Sequence, residues 1–346
     1  MEEQMKRFVF VGVILVFAII PNAALASLLN LGSEQIVQAG GADLVVNGHS
    51  VPSYVDWNND GKGDLVIGED DGGSREGKVR VYLNVGTASN PQFSDFFYAQ
   101  SDGSDLTLFA SGCLGAFPRT VYWDGDDRKD LIVGETYGTV MLYLNVGTDD
   151  NPTFDGGTAL QVGPSGSEVD IDVGYRATPI VVDWDSDGSK DLAVGGLDGK
   201  MHIFVNEGTD TAPDFLVETF AQEDGSDLVV PSERSSAVIE DLDGDGKKDL
   251  LAGNTDGELL FYSNVGTDEA PLFSGYTLIE SDGIAIDLLG TPRSRPFLCD
   301  WSGDGYSDIL IGADDGKVHL FQGVPEPATI SLLGLGVLAL LRRKRA

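Results

Sequence analysis

The chain has 346 residues, 42% of them hydrophobic, with two cysteines and a formal net charge of −34 at pH 7. That length permits one large or two medium domains with a real core. The acidity excludes nucleic acid as a partner, because phosphate binding needs clustered Lys and Arg, and two cysteines exclude a disulfide-stapled scaffold. Net acid on this scale suits a secreted protein whose charge is partly offset by divalent cations.

At the start, Lys6 and Arg7 precede the apolar run FVFVGVILVFAII, and PNAALAS then sets Ala24 and Ala26 in an A-x-A pattern. This predicts a secretory signal peptide over 1–26, cut after Ala26, with Met5 as an alternative start. A retained membrane anchor fits less well, because the apolar run is short and a cleavage site follows it.

One unit then recurs five times. Its acidic loop reads DWNNDGKGDLVIG from Asp56, YWDGDDRKDLIVG from Tyr122, DWDSDGSKDLAVG from Asp183, DLDGDGKKDLLAG from Asp241 and DWSGDGYSDILIG from Asp300. A Gly-led turn and an alternating stretch follow (KVRVYLN, TVMLYLN, KMHIFVN, ELLFYSN, KVHLFQ), then Asn-Val-Gly-Thr or Asn-Glu-Gly-Thr and a Pro-x-Phe ending at Phe93, Phe154, Phe215 and Phe273. Period-two alternation bounded by glycine predicts half-buried strands. Segments such as DLTLF, VDIDV, DLVVP and AIDLL bring each unit to about four strands, with no helical periodicity in the body.

Four-stranded units repeated around an axis make a β-propeller. The predicted fold class is therefore all-β, a propeller of about five four-stranded blades over 27–323, preceded by the signal peptide and followed by a tail at 324–346 with a short transmembrane segment. The fifth unit stops at Gln322 without an outer strand, while SEQIVQAGGADLVVNG at 33–48 carries an orphan outer segment. Pairing of the two is expected to close the ring; an open β-solenoid is the alternative.

The loops at 56–64, 122–130, 183–191, 241–249 and 300–308 crowd acids that repel by roughly 4 kcal/mol per pair at about 4 Å and a surface-like dielectric. Hard oxygens at alternating positions, with Gly for a sharp turn, fit the start of a calcium loop. An EF-hand would need flanking helices and Glu at position twelve; here strands flank the loop and Asp at position nine closes it. The pattern D-x-[DN]-x-D-G-x-x-D between strands resembles the FG-GAP/VCBS-type repeat of integrin-like propellers over about residues 34–323, although the literal Phe-Gly and Gly-Ala-Pro motifs are absent. The resemblance implies Ca²⁺ as cofactor. Its ligands would be Asp56, Asn58, Asp60 and Asp64 in the first unit and Asp183, Asp185, Asp187 and Asp191 in the third. In the fourth they would be Asp241, Asp243, Asp245 and Asp249, and in the fifth Asp300, Ser302, Asp304 and Asp308. The seventh residue, Lys62, Ser189, Lys247 or Tyr306, would give its carbonyl. The second unit departs: Tyr122 replaces the first Asp, and Asp127 the Gly. The bland alternative is a solvated Asp/Gly-rich turn.

All four tryptophans, Trp57, Trp123, Trp184 and Trp301, hold the second loop position, where the fourth unit has Leu242. They suit either sugar stacking or packing between blades, and Leu as substitute favours packing. His202 and His319 occupy a strand position that also takes Arg80, Met141 and Leu260, so a solvent-facing or peripheral place is expected. Cys299 replaces the valines Val55 and Val182 and reads as a small buried residue, with a bridge to Cys113 as the minority reading.

The tail reads VPEPATISLLGLGVLALLRRKRA. As a helix, Ala328 to Leu341 would span about 21 Å, short against a hydrocarbon core of about 30 Å, and the basic end would stay cytoplasmic. Pro325-Glu326-Pro327, a short apolar helix and an Arg-rich end resemble the PEP-CTERM sorting signal. The resemblance implies an exosortase-type processing enzyme as partner and transient anchoring in the inner membrane through the tail alone. The destination would be the cell surface or extracellular matrix of a Gram-negative-type bacterium that makes exopolysaccharide.

Three histidines, no G-x-S-x-G elbow and no phosphate-cradling loop leave nucleophilic and nucleotide chemistry without candidates. No catalytic residue is expected, and the chain reads as a non-enzymatic, calcium-binding adhesion or matrix module for exopolysaccharide or a surface protein. The alternatives are a polysaccharide hydrolase or lyase, since carboxylates abound, and a purely structural matrix protein.

Overall fold

The computed structural model describes residues 29–70, 76–109, 115–288 and 290–325. The expected signal peptide over 1–26, Cys113, Glu326, Pro327 and the rest of the tail lie outside the described residues. Among the described residues every regular element is a β-strand, and no helix is long and apolar enough to cross a membrane.

Five antiparallel sheets form the blades. Each begins with an innermost strand: Val51–Val55, Phe117–Val121, Thr178–Val182, Ser236–Glu240 or Arg295–Cys299. These five strands pack side by side around the axis, the last against the first. The acidic loop turns the chain into the second strand, as in Asp191–Gly195, where Val182 pairs with Asp191 and Thr178 with Gly195. The second strands are buried throughout in blades two to five, which is why they read as near-continuous apolar runs.

Closure follows the expected route. Gln35 and Ile36 pair antiparallel with Leu320 and His319, so the N-terminal segment supplies the outer strand of the fifth blade. Steric fit closes the ring as well. A Cβ on the fifth residue of each second strand, a glycine, would lie 1.9 Å from Ala116 O at Gly68, 1.9 Å from Ala177 O at Gly134, 1.6 Å from Ser235 O at Gly195, 2.3 Å from Ser294 O at Gly253 and 2.2 Å from Ser50 O at Gly312. Each carbonyl belongs to the next blade, and the fifth points back to the first. The repeated Gly of D-L-x-x-G is thus where one blade's backbone lies against the next.

The second loop position fills the space between blades. Trp57 packs with Leu131, Tyr143 and Phe154 of the second blade, Trp123 with Leu192 and Phe204 of the third, and Trp184 with Phe273 of the fourth. Leu242 joins Ile309 and Ile311, and Trp301 joins Leu65, Tyr82 and Phe93. Their apolar bodies are removed from water between blades, so the packing reading holds and no stacking platform is offered. His202 and His319 correct the solvent-facing expectation. Both rings are buried, each 2.5 Å from a glutamate, Glu218 on an outer strand or Glu34 just before one. Such a position accepts Arg80 for the same reason: the chain lays Glu or Tyr over it, here Glu69 at 2.7 Å. Cys299 is a free, half-buried thiol whose pKa burial pushes up.

Candidate metal centres

All five acidic loops leave the ends of the innermost strands and therefore share one end of the ring. Their local geometry comes from side chains that cap the loop's own amides. Asp56 accepts from Asp60 N at 3.0 Å and Gly61 N at 2.8 Å, Asp241 from Gly244 N at 2.8 Å and Gly246 N at 3.0 Å, and Asp300 from Asp304 N at 3.0 Å and Gly305 N at 3.1 Å. Asp183 accepts from Gly188 N at 3.1 Å. The third position turns the same way, with Asn58, Asp185 and Asp243 accepting the amide two residues on. At the fifth position Asp60, Asp187, Asp245 and Asp304 accept from Lys62, Ser189, Lys247 and Tyr306.

This winding brings carboxylates together. One oxygen from each of Asp183, Asp185 and Asp187 lies within 4.8 Å of the others, and the same holds for Asp241, Asp243 and Asp245. In the third loop Asp183 Oδ1 is buried with no hydrogen-bond partner, and in the fifth Ser302 Oγ is likewise buried and unpaired. Buried acceptors are rarely left so. Converging hard oxygens with unsatisfied lone pairs fit a Ca²⁺-type cation.

The ninth-position aspartates do a different job. Asp64, Asp130, Asp191, Asp249 and Asp308 are fully buried. Asp64 accepts from Trp57 N at 2.9 Å and Asn84 N at 2.7 Å, and Asp191 from Trp184 N at 2.7 Å and Asn206 N at 2.7 Å. Asp249 and Asp308 repeat the pattern with Leu242 and Asn264, and with Trp301 and Gly323. They staple the loop to the end of the third strand. Burial pushes their pKa up, and the backbone donors pull it back. A carboxylate has about four acceptor sites, so lone pairs remain for a cation.

The seventh residues split into two kinds. Lys62 Nζ lies 2.9 Å from Asp60 and Lys247 Nζ 2.8 Å from Asp245, so an ammonium already sits on the fifth carboxylate. Ser189 and Tyr306 bring no such charge. In the second loop Arg128 ion-pairs with Asp126, with Nε at 2.6 Å, and holds that carboxyl below its usual range. Tyr122 is exposed there, and Asp127 takes the left-handed backbone (φ 64°) that Gly61, Gly188, Gly246 and Gly305 supply elsewhere. The second loop thus carries its own cation.

Two sets of residues escaped the sequence reading. At loop position eight, Lys129 Nζ contacts Asp149 Oδ2 at 2.9 Å and reaches Asn59 of the first blade at 2.5 Å. Lys248 Nζ contacts Asp268 and Ser186 Oγ of the third blade, both at 2.7 Å, and Lys190 holds Asp210 at 2.7 Å. The Lys at position eight of units two to four was a visible signal. At the opposite end Arg176, Arg234 and Arg293 stand at equivalent points with φ of 63°, 64° and 76°. That strained conformation directs each amide to the preceding blade, onto Thr136 O, Leu197 O and Thr255 O. His49 holds the same place in the first blade, beside Arg293 and Asp314. Burial, with Arg295, Arg293 and Arg176 nearby and Asp314 opposing, drives its pKa down to about 3.

Between the ends, a cavity of about 290 Å³ in the central channel is walled by Ile180, Val238, Phe297 and Leu298, with Arg119 and Glu240. Burial pushes the carboxyls of Glu240 and Glu135 up. Glu240 lies at the acidic-loop end and Glu135, following Gly134, at the other.

A profile described as the PEP-CTERM protein-sorting motif matches residues 323–345. Such a motif implies export and sorting to the cell envelope and is generally recognised by exosortase processing enzymes. Among curated proteins none matches the chain. Of solved structures, the catalytic domain of Coprinopsis cinerea GH62 alpha-L-arabinofuranosidase is similar at 14% identity and TM-score 0.53, over 86% of this chain and 96% of that one. The GH43_1 enzyme from Xanthomonas citri is similar at 12% identity and TM-score 0.47, over 82% and 90%. The Photorhabdus luminescens Tc holotoxin pore matches at 16% identity and TM-score 0.39, over 84% of this chain but 12% of that chain. At these identities only the fold is shared, and only the first exceeds a TM-score of 0.5.

The first likeness corrects the expectation that the chain is no enzyme. The same fold carries a catalytic domain named for glycoside cleavage. Assigning the abundant carboxylates to metal holding alone led to that expectation, whereas glycoside hydrolysis also uses two carboxylates.

Proposed function

We propose that this is a calcium-loaded propeller of the cell surface or matrix that engages a polysaccharide there, released from its tail by an exosortase-type enzyme. The observation that carries the calcium reading is the third loop, where three converging carboxylates include a buried Asp183 oxygen without a partner. The third, fourth, first and fifth loops would each hold one ion through the residues named above, and the second would hold none. The shared fold of a glycoside-cleaving catalytic domain supports a polysaccharide as the ligand class. Native mass spectrometry in calcium, followed by a glycan array with and without chelator, tests both parts. No bound ion, or no bound glycan, overturns the corresponding half.

Glu240 favours a second reading, cleavage of that polysaccharide. It is open to solvent at the lip of the channel cavity, and partial burial raises its carboxyl, the direction a general acid needs. Release of reducing ends that Glu240→Gln abolishes would establish it; equal release from that variant would remove Glu240 from the chemistry.

A further inference from the structure

A cavity of about 690 Å³ lies off the axis and touches the acidic loops only through Trp301. It opens at the seam where the fifth blade meets the first, beside the strand pair that closes the ring. In the first four blades the third strand runs on into a turn starting at Asn84, Asn145, Asn206 or Asn264 and ending at Pro-x-Phe. The fifth blade has no such turn: its third strand ends at Phe321, and Leu320 and Gln322 line the opening. Phe93 and Trp301 lie at its base.

The lining carries no charged side chain, in a chain with 56 acids and 22 Lys and Arg. Instead it gathers carboxamides: Gln35 from the fifth blade's outer strand, Gln38 just beyond that strand, Gln322 just after the third strand, and Asn90 and Gln92 from the first blade. Gln35 Nε2 donates to Gln322 Oε1 at 3.0 Å, which orients that pair. The side-chain amides of Gln38, Asn90 and Gln92 make no hydrogen bond among the described residues. Each offers two donors and an acceptor, the mixed set that vicinal hydroxyls require, and the volume falls within the usual ligand range of about 300–1,000 Å³.

We propose that this groove is a subsite for a neutral saccharide chain, held by the amides of Gln38, Asn90 and Gln92. The inference rests on the polysaccharide reading above and places it at a site that shares none of the proposed calcium ligands. Charge argues for a neutral ligand: a body this acidic repels a polyanion over the Debye length, and the groove holds no cation to recover that cost.

Calorimetric titration of the calcium-loaded protein with neutral xylo-, arabino- and gluco-oligosaccharides, and with matched uronic-acid oligosaccharides, tests it. A neutral oligosaccharide should bind, and the uronic-acid chains should not. Gln38→Ala and Gln92→Ala should each weaken binding about tenfold, and Gln92→Glu more, with unchanged melting and calcium counts, since these side chains are exposed. Neutral binding that the three variants leave intact would overturn the groove while the polysaccharide reading stands. Binding of uronic-acid chains alone would overturn the neutral class. Binding of no glycan would overturn both.

Discussion

At the end of the ring where the innermost strands begin, neighbouring blades meet backbone to backbone, with a Cβ on Gly195 placed 1.6 Å from Ser235 O and Arg234 N bonded to Leu197 O. At the acidic end they meet through side chains, with Lys129 reaching Asn59 and Lys248 reaching Ser186 across the blade boundary. The first kind of joint is chiefly steric, with a titratable cluster of His49, Arg293 and Asp314 beside it. The second is electrostatic, so ions, salt and pH act on it. A propeller built this way holds its ring mainly by backbone packing at one end, while ions and salt act mainly on the other.

Chelation should show the largest effect and should act on the acidic end. With about 10 mM calcium and a Kd of about 10⁻³ M, each site adds about 1.4 kcal/mol. Four sites removed together should lower Tm by on the order of 10 °C, with hydrogen exchange rising in the acidic loops before the glycine seams. Uniform loosening would erase the distinction between the ends. Next comes the steric end: Gly195→Ala should cost about 3 kcal/mol, because its methyl meets a backbone carbonyl that cannot move aside. Equilibrium urea unfolding reads this, and a neutral result would mean that the seam is not tight.

Smaller effects sharpen the contrast. Asp245→Ala should remove one ion of four, about 1.4 kcal/mol at the same calcium concentration. Lys247→Ser should tighten the fourth loop by freeing Asp245 from its ammonium; calorimetry showing weaker binding would contradict that competition. At the other end His49 is held neutral, with its pKa at about 3 against 6.5 unfolded. The unfolded chain therefore binds the extra proton, and this contribution is present above pH 6.5 and is lost as pH falls toward 3. His49→Gln should flatten the pH dependence of stability in that window. The smallest effect is local. Burial raises the Asp268 carboxyl, but hydrogen bonds from Lys248 and Ser186 reverse this and hold it at about 2. Its contribution is present above the unfolded value and is lost as pH falls through about 2. Carboxyl-resolved NMR should show it, and Lys248→Met should return the value toward normal.

Much of the fold was legible in the sequence because each unit repeats the same local instructions. Alternation in KMHIFVN, the Gly after D-L-A-V and the Pro-x-Phe at Phe215 each recur at corresponding positions, so strand order could be read before any contact was known. The third loop was legible for the same reason: Asp183, Asp185 and Asp187 alternate, and the chain winds them together. The carboxamide-lined groove was not legible, since Gln38, Asn90 and Gln92 are ordinary surface amides until closure sets them side by side.

The sequence by itself determined the unit, its strands, its acidic loops and the second loop's departure from them, because hydrophobic period, turn glycine and loop winding act over a few residues. Only the tertiary structure decided which groups from different units meet. It set His202 beneath Glu218, turned the ninth aspartates into backbone staples and gathered Arg176, Arg293 and Arg295 around His49. Those outcomes depend on the angle at which one blade meets the next. That angle is fixed by backbone packed against glycine around a closed ring, a condition that no single unit contains.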